Sequence, residues 1–139
     1  MPGRGEVEEH LALARGFLET AVNGSLASEF AIRNALSRGY YAVYHICSAW
    51  LASENVPARR REKHSDLQFE VARHLGSVFS EQLKEMHRIR KAADYTADWM
   101  VSREFRGDLD RFRVAALRNL DQMREQFDTY SIKLDKTSS

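Results

Sequence analysis

The chain predicts an all-α fold, and three observations carry that prediction. Its 139 residues hold only two prolines, Pro2 and Pro57. No Val/Ile/Thr-rich stretch alternates with period two, the pattern of a half-buried strand. Apolar residues instead recur at steps of three and four over most of the length, the period of a helix face. The length suits a single domain, residues 1–139, with one core. Four long helices and one short one make an antiparallel up-and-down bundle the natural arrangement.

The elements follow in order. Val7, Leu11, Ala14, Leu18 and Ala21 trace one face of a first helix, with Glu6, Glu8 and Glu9 near the positive end of its dipole and Asn23-Gly24 closing it. Ser25 or Ser28 can cap a second helix carrying Phe30, Ala31, Ala35, Tyr41, Tyr44, Cys47, Ser48 and Leu51. That helix is apolar around much of its girth from residue 40 to 51, so it belongs at the centre. Asn55 to Lys63 is a break holding Pro57 and the basic run Arg59-Arg60-Arg61. A short helix runs from Ser65 to Leu75, ended by Gly76. Ser80 is the expected N-cap of the next helix, whose face is Leu83, Met86, Ile89 or Arg90, Ala93 and Ala97. Gly107 interrupts and Asp108 caps the last helix, where Leu109, Phe112, Ala116, Leu120, Met123, Phe127, Tyr130 and Leu134 hold the period. The tail, residues 135–139, is expected to fray.

Composition excludes several classes. Lys and Arg number 21 against 20 Asp and Glu, a net charge of +1, so binding nucleic acid through bulk charge is not expected and any such contact must be local. The single Cys47 cannot form an internal disulfide and reads as a small core residue in a reducing compartment. The first thirty residues lack a signal peptide's apolar stretch, and no segment reaches the ~18 apolar residues of a membrane span. A cytoplasmic protein without membrane contact is the expectation.

Polar groups placed on apolar helices are the functional clue, because burying them is costly unless they are paired or used. Arg38, Tyr41 and His45 stand at i, i+3 and i+7, and His87, Arg90 and Asp94 repeat that spacing on a later helix. If the two faces meet, they form a polar site inside the bundle, with Asp94 accepting from Arg38 or Arg90 across it. Each group also has a plainer role. Arg38 paired with Asp94 can simply hold helix register, and Tyr40, Tyr41 and Tyr44 can be core rings with satisfied hydroxyls. His64 reads as a solvated loop residue and His87 as a helix-surface one. Arg59, Arg60 and Arg61 form either a solvated loop or a phosphate-contacting patch. No H-E-x-x-H, closed Cys/His set or Gly-rich phosphate loop occurs, and Cys47 has no activating partner. No metal and no cofactor are expected.

Ser37-Arg38-x-Tyr40-Tyr41-Ala42-x-Tyr44-His45, followed by Lys63-His64-Ser65 and then Leu83 through Arg90-x-x-Ala93-Asp94-Tyr95, resembles the HEPN superfamily. The likeness is to its small stand-alone bacterial and archaeal members with R-A-Y-Y-A-x-F-H and R-x-x-A-D-Y signatures, and it covers residues 26–97. It implies an antiparallel helical bundle, commonly dimeric. Many such proteins are metal-independent ribonucleases using an Arg and a His four to six residues apart. Others pair with small nucleotidyltransferases in toxin–antitoxin modules. Arg90 takes the place of that Arg, but Asp94, Tyr95, Thr96 and Ala97 stand where the His falls. An Asp beside an Arg is a poor proton donor near neutral pH.

The expectation is therefore a module binding nucleotide or RNA, or a nucleotidyltransferase-type protein partner, through Arg38, Tyr41, His45, Arg90, Asp94 and Tyr95. Two alternatives stay open. One is an endoribonuclease drawing on Arg38, Arg90 and His45 or His87. The other is a structural dimer whose polar cluster fixes register. A homodimer is expected because Phe105, Phe112, Phe127 and Tyr130 accompany a seam too long for a small bundle to cover alone.

Overall fold

The structure, a computed structural model, describes residues 4–137. Helices α1 (Arg4–Asn23), α2 (Glu29–Ser53), α3 (His64–Leu75), α4 (Ser77–Tyr95) and α5 (Leu109–Thr137) account for most of the chain, with a 3-10 turn at Ala58–Arg60. No strand occurs among the described residues. Their ends follow local chemistry. Ser28, not Ser25, caps α2: its Oγ accepts the Ala31 N–H at 3.1 Å, while Ser25 Oγ takes the Ala27 N–H inside the turn. Asp108 caps α5 through Oδ1, accepting from Asp110 and Arg111 at 3.0 and 3.2 Å.

Ser80 does not cap α4. That helix begins at Ser77, directly after Gly76, whose φ of 95° reverses the chain without a loop. Ser80 is buried one turn inside and donates to the Gln68 carbonyl at 2.9 Å, tying α4 to α3. At the other end, α5 stays helical through Thr137, and residues 138–139 of the expected tail lie outside the described residues.

Pairwise contacts set the helix directions. His10 meets His45 and Phe17 meets Tyr41, so α1 and α2 are antiparallel. Arg33 reaches Ala92 while Tyr40 meets His87, which makes α2 and α4 antiparallel. Gln82 meets Gln126 and Phe79 meets Tyr130, giving the same relation between α4 and α5. The four long helices alternate in direction. The short one breaks the alternation: His64 lies beside Tyr40 and His74 beside Trp50, so α3 runs parallel to α2. The segment 54–63 carries the chain back along α2 by about 20 Å before α3 begins.

α2 is the central helix, buried on most sides and packed by α1, α4 and α5. Its approach to α5 needs bare backbone at Gly39, where a Cβ would stand 2.7 Å from Met123 Sδ and 3.2 Å from Leu120 Cδ2. Phe105, Phe112, Phe127 and Tyr130 are all buried within the single chain. The α5 seam therefore needs no second copy to cover it, which removes the ground on which dimerisation was expected. Phe30, placed by its period on the apolar side of α2, is instead 81% exposed at the helix start.

Arg33, which the sequence did not single out, organises the far end of α4. Its guanidinium donates to the carbonyls of Ala92 (3.1 Å), Ala93 (3.1 Å), Thr96 (2.8 Å) and Ala97 (3.2 Å). The Ala92 carbonyl also accepts the Thr96 N–H at 3.0 Å and the Thr96 carbonyl the Trp99 N–H at 3.2 Å, so the guanidinium adds a charged donor to carbonyls at the helix end, where a cation also suits the dipole. Glu29, one turn away, holds the guanidinium through Oε1. This clamp fixes where Asp94 and Tyr95 sit.

Candidate functional site

The two stripes predicted on α2 and α4 do not face each other. At 100° per residue Arg38, Tyr41 and His45 do share one face of α2, but that face meets α1. Ser37, Tyr40 and Tyr44, on the adjacent face, meet α3 and α4 instead. Arg38 is exposed, its guanidinium 5.6 Å above the Phe17 ring, and it does not pair with Asp94. Only Tyr41 touches both sides, with Phe17 at 5.7 Å and the Arg90 guanidinium at 5.5 Å.

On the α2–α4 seam, Arg90 is the organising charge. It is 7% exposed, and its guanidinium lies within 5.5 to 5.9 Å of the rings of Tyr40, Tyr41 and Tyr95. Such cation–π contacts hold a partly desolvated guanidinium without neutralising it. Its one carboxylate partner, Asp94, lies a turn away on the same helix at 3.4 Å, not across the bundle. The group that reaches Asp94 across the seam is Ser37, whose Oγ donates at 3.2 Å.

His64 and His87, read from sequence as solvated, stack on each other with centroids 4.2 Å apart and 20° between planes. Fully buried Tyr40 links to them: its hydroxyl lies 2.6 Å from His64 Nδ1. Burial pushes the Tyr40 phenol pKa up, so it keeps its proton and can donate to that nitrogen. The tautomer of His87 is set by Arg90, whose Nη2 lies 3.2 Å from His87 Nε2. A guanidinium only donates, so Nε2 must be the acceptor and Nδ1 carries the hydrogen. Burial, then His64, Arg90 and Lys91, lowers the His87 pKa to about 4. Burial, Arg90 and Lys91 lower that of His64 as well. At neutral pH the pair is a stack of two uncharged rings beside a guanidinium. Tyr44, 5.1 Å from His64, borders it, with Lys91 at the surface one turn from His87; the 76% exposed Tyr95 lies two turns along α4 from His87, its ring 5.9 Å from the Arg90 guanidinium.

His45 belongs to a different assembly on the α1–α2 seam. Its Nδ1 lies 3.0 Å from His10 Nδ1, and its ring stacks on Phe17 at 5.6 Å. One of the two Nδ1 atoms must donate and the other accept, which requires at least one neutral ring. Burial and the neighbouring His10 lower the His45 pKa to about 4. Burial and Arg61 lower that of His10 against the opposing pull of Glu6 and Glu9. His45 is thus a packed residue of the α1–α2 seam, whose contacts are His10, Phe17 and Tyr44 rather than Arg90.

The basic run Arg59-Arg60-Arg61 is not one patch. Arg61 is buried, donating to the Val56 carbonyl at 3.0 Å and pairing with Glu6 of α1. Arg60 binds the buried Glu70 carboxylate at 2.9 Å. Only Arg59 faces solvent without such a tie. The loop must carry the chain back along α2, and these two arginines anchor it there. Cys47 is fully buried and its thiol is pushed up to about 12 by burial, so it is no nucleophile.

Among the described residues no three His, Cys, Asp or Glu side chains converge as metal ligands, and no helix is long and apolar enough to cross a membrane. Comparison with known proteins finds no matching family model, curated protein or solved structure.

Proposed function

We propose that the chain is a HEPN-like module that binds single-stranded RNA or nucleotide on the face formed by Tyr44, His64, His87, Lys91 and Tyr95. One observation carries this reading: a neutral imidazole stack lies open beside a buried guanidinium ringed by three tyrosines. Neutral aromatic faces stack on bases of any sequence, and adjacent cations attract the backbone. Arg90 is too buried to grip a phosphate itself, so it acts by its field and by orienting His87. Lys91 and Tyr95 are the groups that reach solvent. Action beside a nucleotidyltransferase-type protein in a toxin–antitoxin pair is the setting that the resemblance of residues 26–97 implies.

The test is fluorescence anisotropy of a labelled oligoribonucleotide against salt. Affinity should fall as salt rises, and Tyr95→Ala should weaken binding by about 5- to 100-fold, the loss of one stacked base. Both Tyr95 and Lys91 are exposed, so their variants test binding without disturbing the fold. Absence of salt-sensitive binding, or binding indifferent to Tyr95→Ala and Lys91→Ala, would refute the reading.

A metal-independent endoribonuclease is the second reading, favoured by the half-buried His87 lying 3.2 Å from Arg90. A ring with a pKa near 4 is neutral at pH 7, so it can accept a proton but has almost none to give. Cleavage that rises toward pH 5 and is lost in His87→Ala would promote this reading.

A further inference from the structure

The stacked rings of His64 and His87 present hydrogens to solvent rather than lone pairs, and two buried partners decide this. A neutral imidazole, as both are at pH 7, carries one N–H and one bare nitrogen. Tyr40 is fully buried, and its hydroxyl has His64 Nδ1 as its one hydrogen-bond partner, at 2.6 Å. A buried hydroxyl hydrogen without an acceptor is costly, so Tyr40 donates and the hydrogen of His64 sits on Nε2. Arg90, which can only donate, fixes His87 in the other tautomer, with its hydrogen on Nδ1. Neither His64 Nε2 nor His87 Nδ1 makes a hydrogen bond among the described residues, and neither atom is buried. The ring centroids are 4.2 Å apart. In each ring the bonded nitrogen faces inward, to Tyr40 or to Arg90, so the free N–H points out of the stack. The surroundings are positive. Arg90 has one carboxylate partner, at 3.4 Å, and its buried Nε donates to nothing. Exposed Lys63 precedes His64, and exposed Lys91 lies one turn beyond His87. His64 also opens α3, whose first amides have no side-chain cap and so favour an anion.

We propose that His64 Nε2–H and His87 Nδ1–H clamp one phosphate group, each donating to one of its non-bridging oxygens. The proposal rests on the RNA-binding reading for the source of that phosphate, a nucleotide or an RNA backbone. In that reading the faces of the stack serve bases; its edges serve the phosphate. Two donors on neighbouring rings, with no lone pair beside them, match a group that only accepts. Hydrogen bonds to an ionised acceptor are about twice as strong as neutral ones, which suits uncharged donors to this task. Tyr40 and Arg90 touch only the rings, and their part is to hold each tautomer.

Two measurements on the full chain test this. Long-range proton–nitrogen NMR of the imidazoles at pH 7 reads which nitrogen carries each hydrogen. Nε2 for His64 and Nδ1 for His87 are expected, and the opposite tautomer in either ring would overturn the clamp. Titration with inorganic phosphate, uridine, uridine monophosphate and the dinucleotide UpU then reads the group bound. Inorganic phosphate should shift both N–H signals; if neither moves, the clamp is overturned. The monophosphate or UpU should bind about tenfold or more tighter than uridine, as one charge-assisted hydrogen bond or more requires. A lead for the monophosphate marks a terminal phosphate as the source, and a lead for UpU an internal one. His87→Phe keeps an aromatic ring in the stack and removes its N–H, so that lead should shrink about tenfold while uridine binding holds. A lead that survives His87→Phe in full would overturn the clamp. Equal binding of uridine, its monophosphate and UpU by the wild type would overturn the clamp and leave the RNA-binding reading standing. Phosphate-induced shifts with no binding of uridine or UpU would keep the clamp and overturn that reading.

Discussion

Replacing Arg33 with Met keeps an unbranched apolar stem and removes the guanidinium, leaving the end of α4 without its clamp. Four carbonyls lose a charged donor, those of Ala92, Ala93, Thr96 and Ala97, at 2.8 to 3.2 Å. The bonds to Thr96 and Ala97 are exposed, so water replaces them at little cost. The bonds to Ala92 and Ala93 are part-buried, and at roughly 1.5 kcal/mol each for a charged donor they set the expected loss at about 3 kcal/mol. For a chain of 139 residues the entropy of unfolding is about 0.3 kcal/mol/K, so the midpoint should fall by about 10 °C. Urea and thermal unfolding followed by circular dichroism would measure both. Hydrogen exchange should show the last turn of α4 losing protection before the rest of the bundle. Arg33→Lys, with a compact ammonium in place of the fork, should fall between the two. A loss below about 1 kcal/mol for Arg33→Met would refute the reasoning, because it would mean that solvent and the backbone N–H groups of Thr96 and Trp99 already satisfy the carbonyls.

Two further predictions concern the histidine seams and the basic loop. His45 and His87 have folded-state pKa values lowered from 6.5 to about 4, so the unfolded chain takes up their protons first. Their contribution is complete above about pH 6.5 and is lost as pH falls toward 4. The unscreened shift corresponds to about 3 kcal/mol per ring, which partial exposure cuts to about 1 kcal/mol each. Urea unfolding at pH 7 and pH 5 should show this difference, and a His45→Gln, His87→Gln double variant should flatten it; an unchanged slope would rule the rings out as its source. In the loop, Arg61→Ala should destabilise by about 3 kcal/mol by leaving Glu6 and the Val56 carbonyl without their donor, whereas Arg59→Ala should stay within about 0.5 kcal/mol. Equal effects in thermal melts would show that the loop arginines are interchangeable.

What the amino-acid sequence determined by itself rests on short-range periodicity, with Phe30 and Ser80 as its local misreadings. The number and type of helices, the centrality of α2, the Asp108 cap and the stop at Gly76 depend on residues within a turn or two, where propensity and capping act. The sequence also marked Tyr41, Arg90, Asp94 and Tyr95, and these do gather on one seam. It could not tell which neighbour each face of α2 would meet. Arg38 and His45 satisfy a spacing rule, yet α1 packs on their side, about 100° around the helix from α4. His64 and His87 are 23 residues apart and no motif pairs them with each other; they meet only because the loop after α2 returns to the level of Tyr40 before α3 begins. Arg33 was equally silent, since its partners are backbone carbonyls some 60 positions away, which leave no pattern of side chains to read. Helix existence is a local free energy. Helix neighbours are decided by which faces bury the most apolar surface together, a sum over the whole chain that only the tertiary structure evaluates.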